Sequence, residues 1–131
     1  MKKTKLLNSY LSAAVANMGH KQMLVLGDAG LPVPKGVEKI DLAVTEGVPE
    51  LLTVLDAVLS ELCVEKIILA EELRQKNPEM EREICRRFAG TELEYVPHEQ
   101  FKKMTEKAEV VVRTGETRAY SNVILVSGVT F

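Results

Sequence analysis

The fold of this chain is decided by residues 51–70, which run LLTVLDAVLSELCVEKIILA. Leucines and valines recur from Leu51 to Leu62 at the spacing of one helix face, and Pro49 suits the first turn of that helix. A strand is then predicted over Val64 to Ala70, because its apolar centre Ile67-Ile68-Leu69 is typical of a strand in a sheet covered on both faces. A helix that leads into a doubly covered strand predicts an α/β fold.

The same alternation extends in both directions along the chain. Further helices are predicted after a cap at Asn8 or Ser9, from Asn77-Pro78 to about Phe88, and over residues 98–107. Further strands are predicted at residues 23–26, 39–44, 92–96, 109–113 and 122–126. Only about eight residues join the last two strands, so they either form an antiparallel hairpin or pair with different neighbours. We therefore predict a single domain over residues 1–131, with a mostly parallel central sheet flanked by helices.

Composition and charge exclude several classes of protein. The 131 residues include 17 Lys and Arg against 19 Asp and Glu, so the formal charge of −2 offers no basic excess for nucleic acid. No apolar run is long enough to cross a membrane, and the segment after Met1 lacks the apolar core of a signal peptide. These features predict a cytoplasmic protein without nucleic-acid or membrane partners. The run of mixed charge from Glu71 to Arg87 is predicted to be a solvated helix face.

The candidate motifs for binding a metal or a nucleotide cofactor are incomplete in this sequence. Cys63 and Cys85 lie 22 positions apart, and this spacing matches no zinc or dithiol motif. Both cysteines are predicted to be small buried hydrophobic residues in helical stretches. Residues 98–102, His-Glu-Gln-Phe-Lys, begin like a zinc-protease motif, but Lys102 stands where the second His is needed. Residues 27–30, Gly-Asp-Ala-Gly, lack the third glycine of the dinucleotide fingerprint. The sequence predicts neither a metal nor a cofactor.

Polar residues in or beside predicted loops are the remaining candidates for chemistry: His20, Asp28, His98, Lys102, Tyr120 and Asn122. Asp28 follows the first strand at its carboxyl end, where open α/β sheets bind ligands. His98 and Lys102 are four apart and share a helix face, whereas Tyr120 and Asn122 are expected on one face at the start of the last strand. Each residue also has a purely structural explanation, such as packing or turn capping. As a set, they bind hydroxyl groups and move protons.

Short motifs spread over the whole chain match one known family. They include Met18-Gly19-His20, Asp28-Ala29-Gly30-Leu31-Pro32-Val33-Pro34, Ala70-Glu71-Glu72, His98-Glu99-Gln100-Phe101-Lys102, Arg113-Thr114-Gly115-Glu116 and Tyr120-Ser121-Asn122. In these segments the sequence resembles the D-ribose pyranases and fucose mutarotases. Gly30 favours the ribose branch, because the fucose branch carries a bulkier residue there. Two departures are Ala119, where Pro is common, and Ser121, where Ala is common; the first predicts a looser turn before Tyr120.

The resemblance implies a D-ribose pyranase, an α/β enzyme that interconverts the pyranose and furanose rings of D-ribose without metal or cofactor. It assigns His20 as the general acid. It assigns sugar contacts to Asp28, His98, Tyr120, Asn122 and the backbone at Ser121, and it places Lys102 in the pocket. Asp28 either orients His20 or binds sugar hydroxyls.

The resemblance also implies self-association. Members of the family form rings, described as decamers of two pentamers, with the site between subunits. The apolar end of the chain, Val129-Thr130-Phe131, either docks on a neighbouring subunit or packs on its own. The alternatives are a mutarotase for another aldose such as L-fucose and a non-catalytic sugar-binding or transport-associated protein. Two imidazoles, His20 and His98, argue against a pure binder, which has no need of titrating groups.

Overall fold

Helices and strands alternate along the chain in the computed structural model, which describes all 131 residues. The helices are α1 (Ser9–Asn17), α2 (Leu51–Leu59), α3 (Glu71–Lys76), α4 (Pro78–Arg86) and α5 (His98–Met104), and a 3₁₀ turn (Thr105–Lys107) follows α5. The strands are β1 (Met23–Gly27), β2 (Glu38–Asp41), β3 (Val64–Ala70), β4 (Glu92–Val96), β5 (Val110–Arg113) and β6 (Val123–Ser127). None of the helices combines the length and the apolar character needed to cross a membrane.

The six strands form one sheet in the order β2-β5-β1-β6-β3-β4. β6 runs antiparallel to its neighbours β1 and β3, and all the other pairings are parallel. The predicted mostly parallel sheet is therefore confirmed, and β5 and β6 pair with different neighbours instead of forming a hairpin. As a result, the carboxyl ends of β1 to β5 and the amino end of β6 meet at one edge, which we call the carboxyl edge.

Apolar side chains fill the space on both faces of the sheet, as the doubly covered strands require. Successive residues of β1 point to opposite faces, so Leu24 and Leu26 pack with α1, α2 and α4, whereas Val25 packs with Phe101 of α5. All of these side chains are fully buried or nearly so. The two packed layers hold the strand ends rigidly, so loops at the carboxyl edge project from a fixed base.

Caps and breaks set the helix limits. The Asn8 side chain accepts a hydrogen bond from the Leu11 amide at 3.0 Å and starts α1 as predicted, but α1 ends at Asn17, before Gly19. The charged run after β3 forms two helices, α3 and α4, which meet at Asn77; a separate helix before Asn77 was not predicted. Both cysteines are free and half-buried, and Cys63 lies in the connection between α2 and β3 and not in a helix.

Candidate functional site

Asp28 and Asn122 form a reciprocal pair at the carboxyl edge. Leu26 of β1 faces Val123 of β6, so the residues just beyond these strand ends become neighbours. The Asp28 amide donates to Asn122 Oδ1 at 2.8 Å, and Asn122 Nδ2 donates to Asp28 Oδ2 at 3.0 Å. Asp28 Oδ1 also accepts from the Gly30 amide at 3.0 Å. The carboxylate is thereby held in one orientation, with lone pairs left to accept further hydrogen bonds.

Tyr120 and Ser121 occupy a tight turn before β6. Tyr120 has φ 56°, a left-handed conformation that costs a non-glycine residue about 1–2 kcal/mol. Its carbonyl accepts from the Asn122 amide at 2.8 Å. The prediction that Tyr120 and Asn122 share a strand face is wrong, because β6 begins only at Val123. The turn nevertheless brings both residues to the carboxyl edge.

His98 joins this group from the end of β4. It is the first residue of α5, and its ring packs edge-on against the ring of Tyr120, with 5.1 Å between the ring centroids. Its amide donates to Glu72 Oε2 at 2.8 Å, so a carboxylate from α3 caps α5. His98 Nδ1 and Ser121 Oγ are buried and have no hydrogen-bond partner in the protein. Buried polar atoms are normally bonded, but the single chain supplies no partner for these two atoms.

Lys102 lies one turn after His98 on the same helix, as predicted. Its ammonium group pairs with Glu99 at 2.6 Å, and this contact lowers the pKa of the Glu99 carboxyl. The Glu99 side chain is 80% exposed, and exposed ion pairs of this kind contribute little energy. Lys102 is therefore free to exchange this partner for a ligand oxygen, although within one chain its ammonium group has no hydrogen bond to the other predicted residues.

His20 lies at the opposite edge of the sheet from this group. It precedes β1, and the amide of its neighbour Lys21 donates to the carbonyl of Ser127 at the far end of β6, at 2.7 Å. The five residues of β1 separate the two edges by roughly 16 Å. Within one chain, the structure does not bring His20 together with Asp28 or His98.

The surroundings of His20 are open. Its Nε2 atom lies 2.8 Å from Glu65 Oε2, and both side chains are partly exposed. His20 lines a groove of about 420 Å³ together with Cys63 and the chain end from Val129 to Phe131. Phe131 is fully exposed, so it does not pack on its own subunit. The imidazole thus sits on an open surface bordered by an uncovered aromatic ring.

Sequence reasoning missed one buried carboxylate beside the site. The Glu116 side chain is only 3% exposed. It accepts hydrogen bonds from the Leu51 and Thr117 amides and from the Arg118 amide and guanidinium, at 2.8 to 3.3 Å. Burial opposes ionisation of Glu116, but these donors outweigh it and lower the pKa to about 2. Glu116 is therefore ionised at neutral pH.

Glu116 links the loops that carry the polar group. Its carbonyl accepts from the Ala29 amide at 2.8 Å, directly beside Asp28. Its side chain fixes residues 117 and 118, which lead into the turn at Tyr120. The Arg113–Glu116 motif contains this residue, but nothing in the sequence alone indicates that its carboxylate is buried. The roles of Glu65 and Glu72 were also missed, because their partners His20 and His98 are distant from them in the sequence.

Known proteins are similar to this sequence along its whole length. The family model described as the RbsD / FucU transport protein family matches residues 1–130. The chain belongs to this family. A D-ribose pyranase of Pseudomonas putida strain GB-1 is 56% identical over 133 residues, which cover all of both chains.

Two solved structures of the RbsD / FucU family share the fold. RbsD of Bacillus subtilis complexed with D-ribose has a TM-score of 0.96 and 44% identity, over the full length of both chains. The fucose mutarotase of Streptococcus pneumoniae in complex with L-fucose has a TM-score of 0.80 and 26% identity, also over both full lengths. The similarity is thus greater to the ribose-complexed protein, in agreement with the expectation drawn from Gly30.

Family membership confirms the resemblance that the sequence motifs indicated. The structure gathers five of the predicted site residues at the carboxyl edge: Asp28, His98, Tyr120, Ser121 and Asn122. Lys102 stands one helix turn away, and His20 stands at the opposite edge. No group of three or more His, Cys, Asp or Glu side chains is placed to hold a metal ion. The carboxyl edge offers fixed acceptors, an amide, a hydroxyl and an imidazole, which is a set suited to a polyhydroxylated ligand.

Proposed function

We propose that this protein is a D-ribose pyranase, which interconverts the pyranose and furanose forms of D-ribose. The observation that carries the proposal is the pair of buried, unbonded polar atoms, His98 Nδ1 and Ser121 Oγ, beside the Asp28–Asn122 pair. Buried polar groups without a partner are uncommon, and here they lie among side chains that can bind hydroxyl groups. Support also comes from relatives named D-ribose pyranase and from the RbsD structure that contains D-ribose.

The carboxyl edge binds the sugar hydroxyls in this proposal. Asp28 accepts hydrogen bonds from hydroxyl groups, since both of its oxygens are already oriented by backbone and amide donors. Asn122, the Ser121 segment and Tyr120 supply further donors and acceptors. β1 separates Asp28 from His20 of the same chain, and Asn122 and Gly30 already orient the Asp28 carboxylate, so we assign Asp28 to sugar binding in the site shared with a neighbouring subunit.

Ring exchange breaks one C–O bond and forms another, and the only groups that the enzyme has to transfer are protons. A general acid protonates the ring oxygen while a base removes the proton of the anomeric hydroxyl, and the bond from C1 to the ring oxygen breaks to give the open aldehyde. The hydroxyl on C4 then attacks C1 and gives up its proton, and the carbonyl oxygen gains one, which closes the furanose ring. General acid–base catalysis contributes about a hundred- to ten-thousand-fold, enough for a reaction that also proceeds in water.

The two imidazoles are the proton carriers in this scheme. His20 is the general acid, and His98 is the second acid–base group, because imidazole gives and takes protons near neutral pH. Lys102 places positive charge beside the oxygen that becomes negative as the ring opens.

Completion of the site requires a second copy of the chain. His20 and the carboxyl edge lie on opposite edges of one subunit, so they meet only when subunits assemble with unlike edges in contact. Such head-to-tail contacts form a ring when the rotation from one subunit to the next closes on itself. Exposed apolar side chains that assembly would cover include Leu7, Tyr10, Val44, Val48, Val129 and Phe131. We propose a ring-shaped homo-oligomer, specifically a decamer of two pentamers, and a cytoplasmic location.

Saturation-transfer NMR of D-ribose tests the proposed function. The protein is expected to accelerate exchange between pyranose and furanose signals well beyond the rate in buffer, and to act less on L-fucose. Faster exchange of L-fucose than of D-ribose would replace the substrate assignment. Binding of ribose without any acceleration would identify a sugar-binding protein and overturn the proposed enzyme.

A further inference from the structure

The Asn77 side chain makes two different hydrogen bonds with its two ends. Its Oδ1 atom accepts from the Met80 amide at 3.4 Å and caps α4, the role that the Asn77-Pro78 pair predicts. Its Nδ2 atom donates to the carbonyl of Ala119 at 3.2 Å, although 42 positions separate the two residues in the chain. The second contact has no part in capping the helix.

The Ala119 carbonyl is the last backbone acceptor before the left-handed Tyr120. Such a conformation persists in a non-glycine residue only when the surroundings hold it in place. The junction of α3 and α4 supplies these surroundings from one side, because Lys76 Nζ also lies 5.4 Å from the centre of the Tyr120 ring. His98 contacts the same ring at 5.1 Å between centroids. A shift of this turn therefore moves Tyr120 relative to His98.

We infer that Asn77 is a positioning residue for the sugar site: its amide group fixes the Ala119 carbonyl and thereby holds Tyr120 and Ser121 where the ligand binds. The inference rests on the proposed ribose site. The contact tethers the chain at position 119, where the proline common in the family is absent.

The substitution Asn77→Asp separates the two roles. Aspartate keeps the oxygen that caps α4, and its charge is favourable at a helix N-terminus, but it cannot donate to the Ala119 carbonyl. Asn77→Ser keeps a capping hydroxyl without adding charge, and its short side chain does not reach Ala119. Asn8→Asp is the matched control, since Asn8 makes the same kind of cap on α1 at 3.0 Å and has no hydrogen bond to Asp28, His98 or the turn at Tyr120.

Ribose exchange and thermal unfolding are measured for all of these variants. We expect Asn77→Asp and Asn77→Ser to raise the KM for ribose about fivefold to tenfold, which corresponds to about 1 to 1.4 kcal/mol, with the Tm close to wild type. Asn8→Asp should leave KM unchanged. The chain has only two histidines, so the His98 ring signals are readily followed by NMR, and they should shift in both Asn77 variants.

The outcomes distinguish this inference from the proposed function. Wild-type protein without ring exchange would refute the function, whereas active wild type with unchanged KM and His98 signals in both Asn77 variants would overturn the inference alone. Asn77→Ala, which removes both the cap and the donor, is measured as the reference for stability. A Tm loss in Asn77→Asp and Asn77→Ser as large as in Asn77→Ala would assign the contact to stability and would also overturn the inference.

Discussion

Glu116→Gln is expected to destabilise the protein through loss of one buried charge. In the wild-type protein the residue Glu116 is 2% exposed, and the pKa of its carboxyl group is lowered to about 2, against a usual value near 4.5. A group whose pKa is lowered by folding stabilises the protein above its unfolded pKa, and this contribution is lost as the pH falls toward the folded pKa. The difference corresponds to about 3 kcal/mol at pH 7 and about 2 kcal/mol at pH 3.5. Glutamine keeps the shape but cannot bind the Arg118 guanidinium as an anion.

Urea unfolding of both proteins at fixed concentration, between pH 7 and pH 3.5, measures this effect. All other titrating groups are common to the two proteins, so the difference in unfolding free energy isolates Glu116. Glu106→Gln is the control, because that side chain is exposed. A Glu116→Gln protein as stable as wild type at pH 7, or a stability difference that does not shrink at low pH, would refute the reasoning.

Three further predictions concern the two edges and the loops. His20→Ala should fold normally, since His20 is exposed, and should slow ribose exchange by about a hundred- to ten-thousand-fold in saturation-transfer NMR. Wild-type exchange rates would remove His20 from the mechanism. Asn122→Asp places a second carboxylate 3.0 Å from Asp28 Oδ2, so it should weaken ribose binding and lower stability at pH 7 by about 1–3 kcal/mol, with partial recovery in acid. Calorimetric ribose titration at both pH values checks this, and unchanged affinity at pH 7 would contradict it. Gly115→Ala brings a Cβ atom within 2.4 Å of the Val48 carbonyl oxygen and should cost about 1–3 kcal/mol in urea unfolding, so wild-type stability would show that the loop yields freely.

The elements that sequence predicts well are those whose signals are local. The limits of β3 and β4 agree with the predicted ranges because apolar runs bounded by loops identify them. The starts of α1 and α4 follow from Asn8 and Asn77, whose side chains cap the helices as expected. In these cases the physical cause lies within a few residues of the element.

The separate helix α3 was not predicted, because it lacks such a local signal. In α3 only Leu73 is buried, so no apolar periodicity marks the segment. The charged run was predicted to be a solvated face, yet it carries Glu72, which caps the helix of His98, and Lys76, which lies over Tyr120. These roles depend on partners from distant parts of the chain, so the sequence pattern cannot reveal them.

The site was predicted as a set of residues but not as an arrangement. The family motifs indicated His20, Asp28 and His98 together, but their positions depend on strand order and direction. His20 precedes β1 and Asp28 follows it, so these two residues lie at opposite edges of the sheet. The left-handed turn at Tyr120 likewise depends on tertiary contacts, such as the bond from Asn77, whereas the two-residue spacing of Tyr120 and Asn122 predicted a shared strand face instead.

A mixed-oligomer experiment tests most directly whether one catalytic site takes His20 from one subunit and the carboxyl edge from another. His20→Ala and His98→Ala chains are each expected to lose most ribose exchange. When the two are co-assembled in equal amounts, about a quarter of the sites should combine an intact His20 with an intact His98 from a neighbouring chain, so about a quarter of the wild-type exchange rate should return. Activity in the mixture no greater than the average of the two separate variants would contradict the shared site.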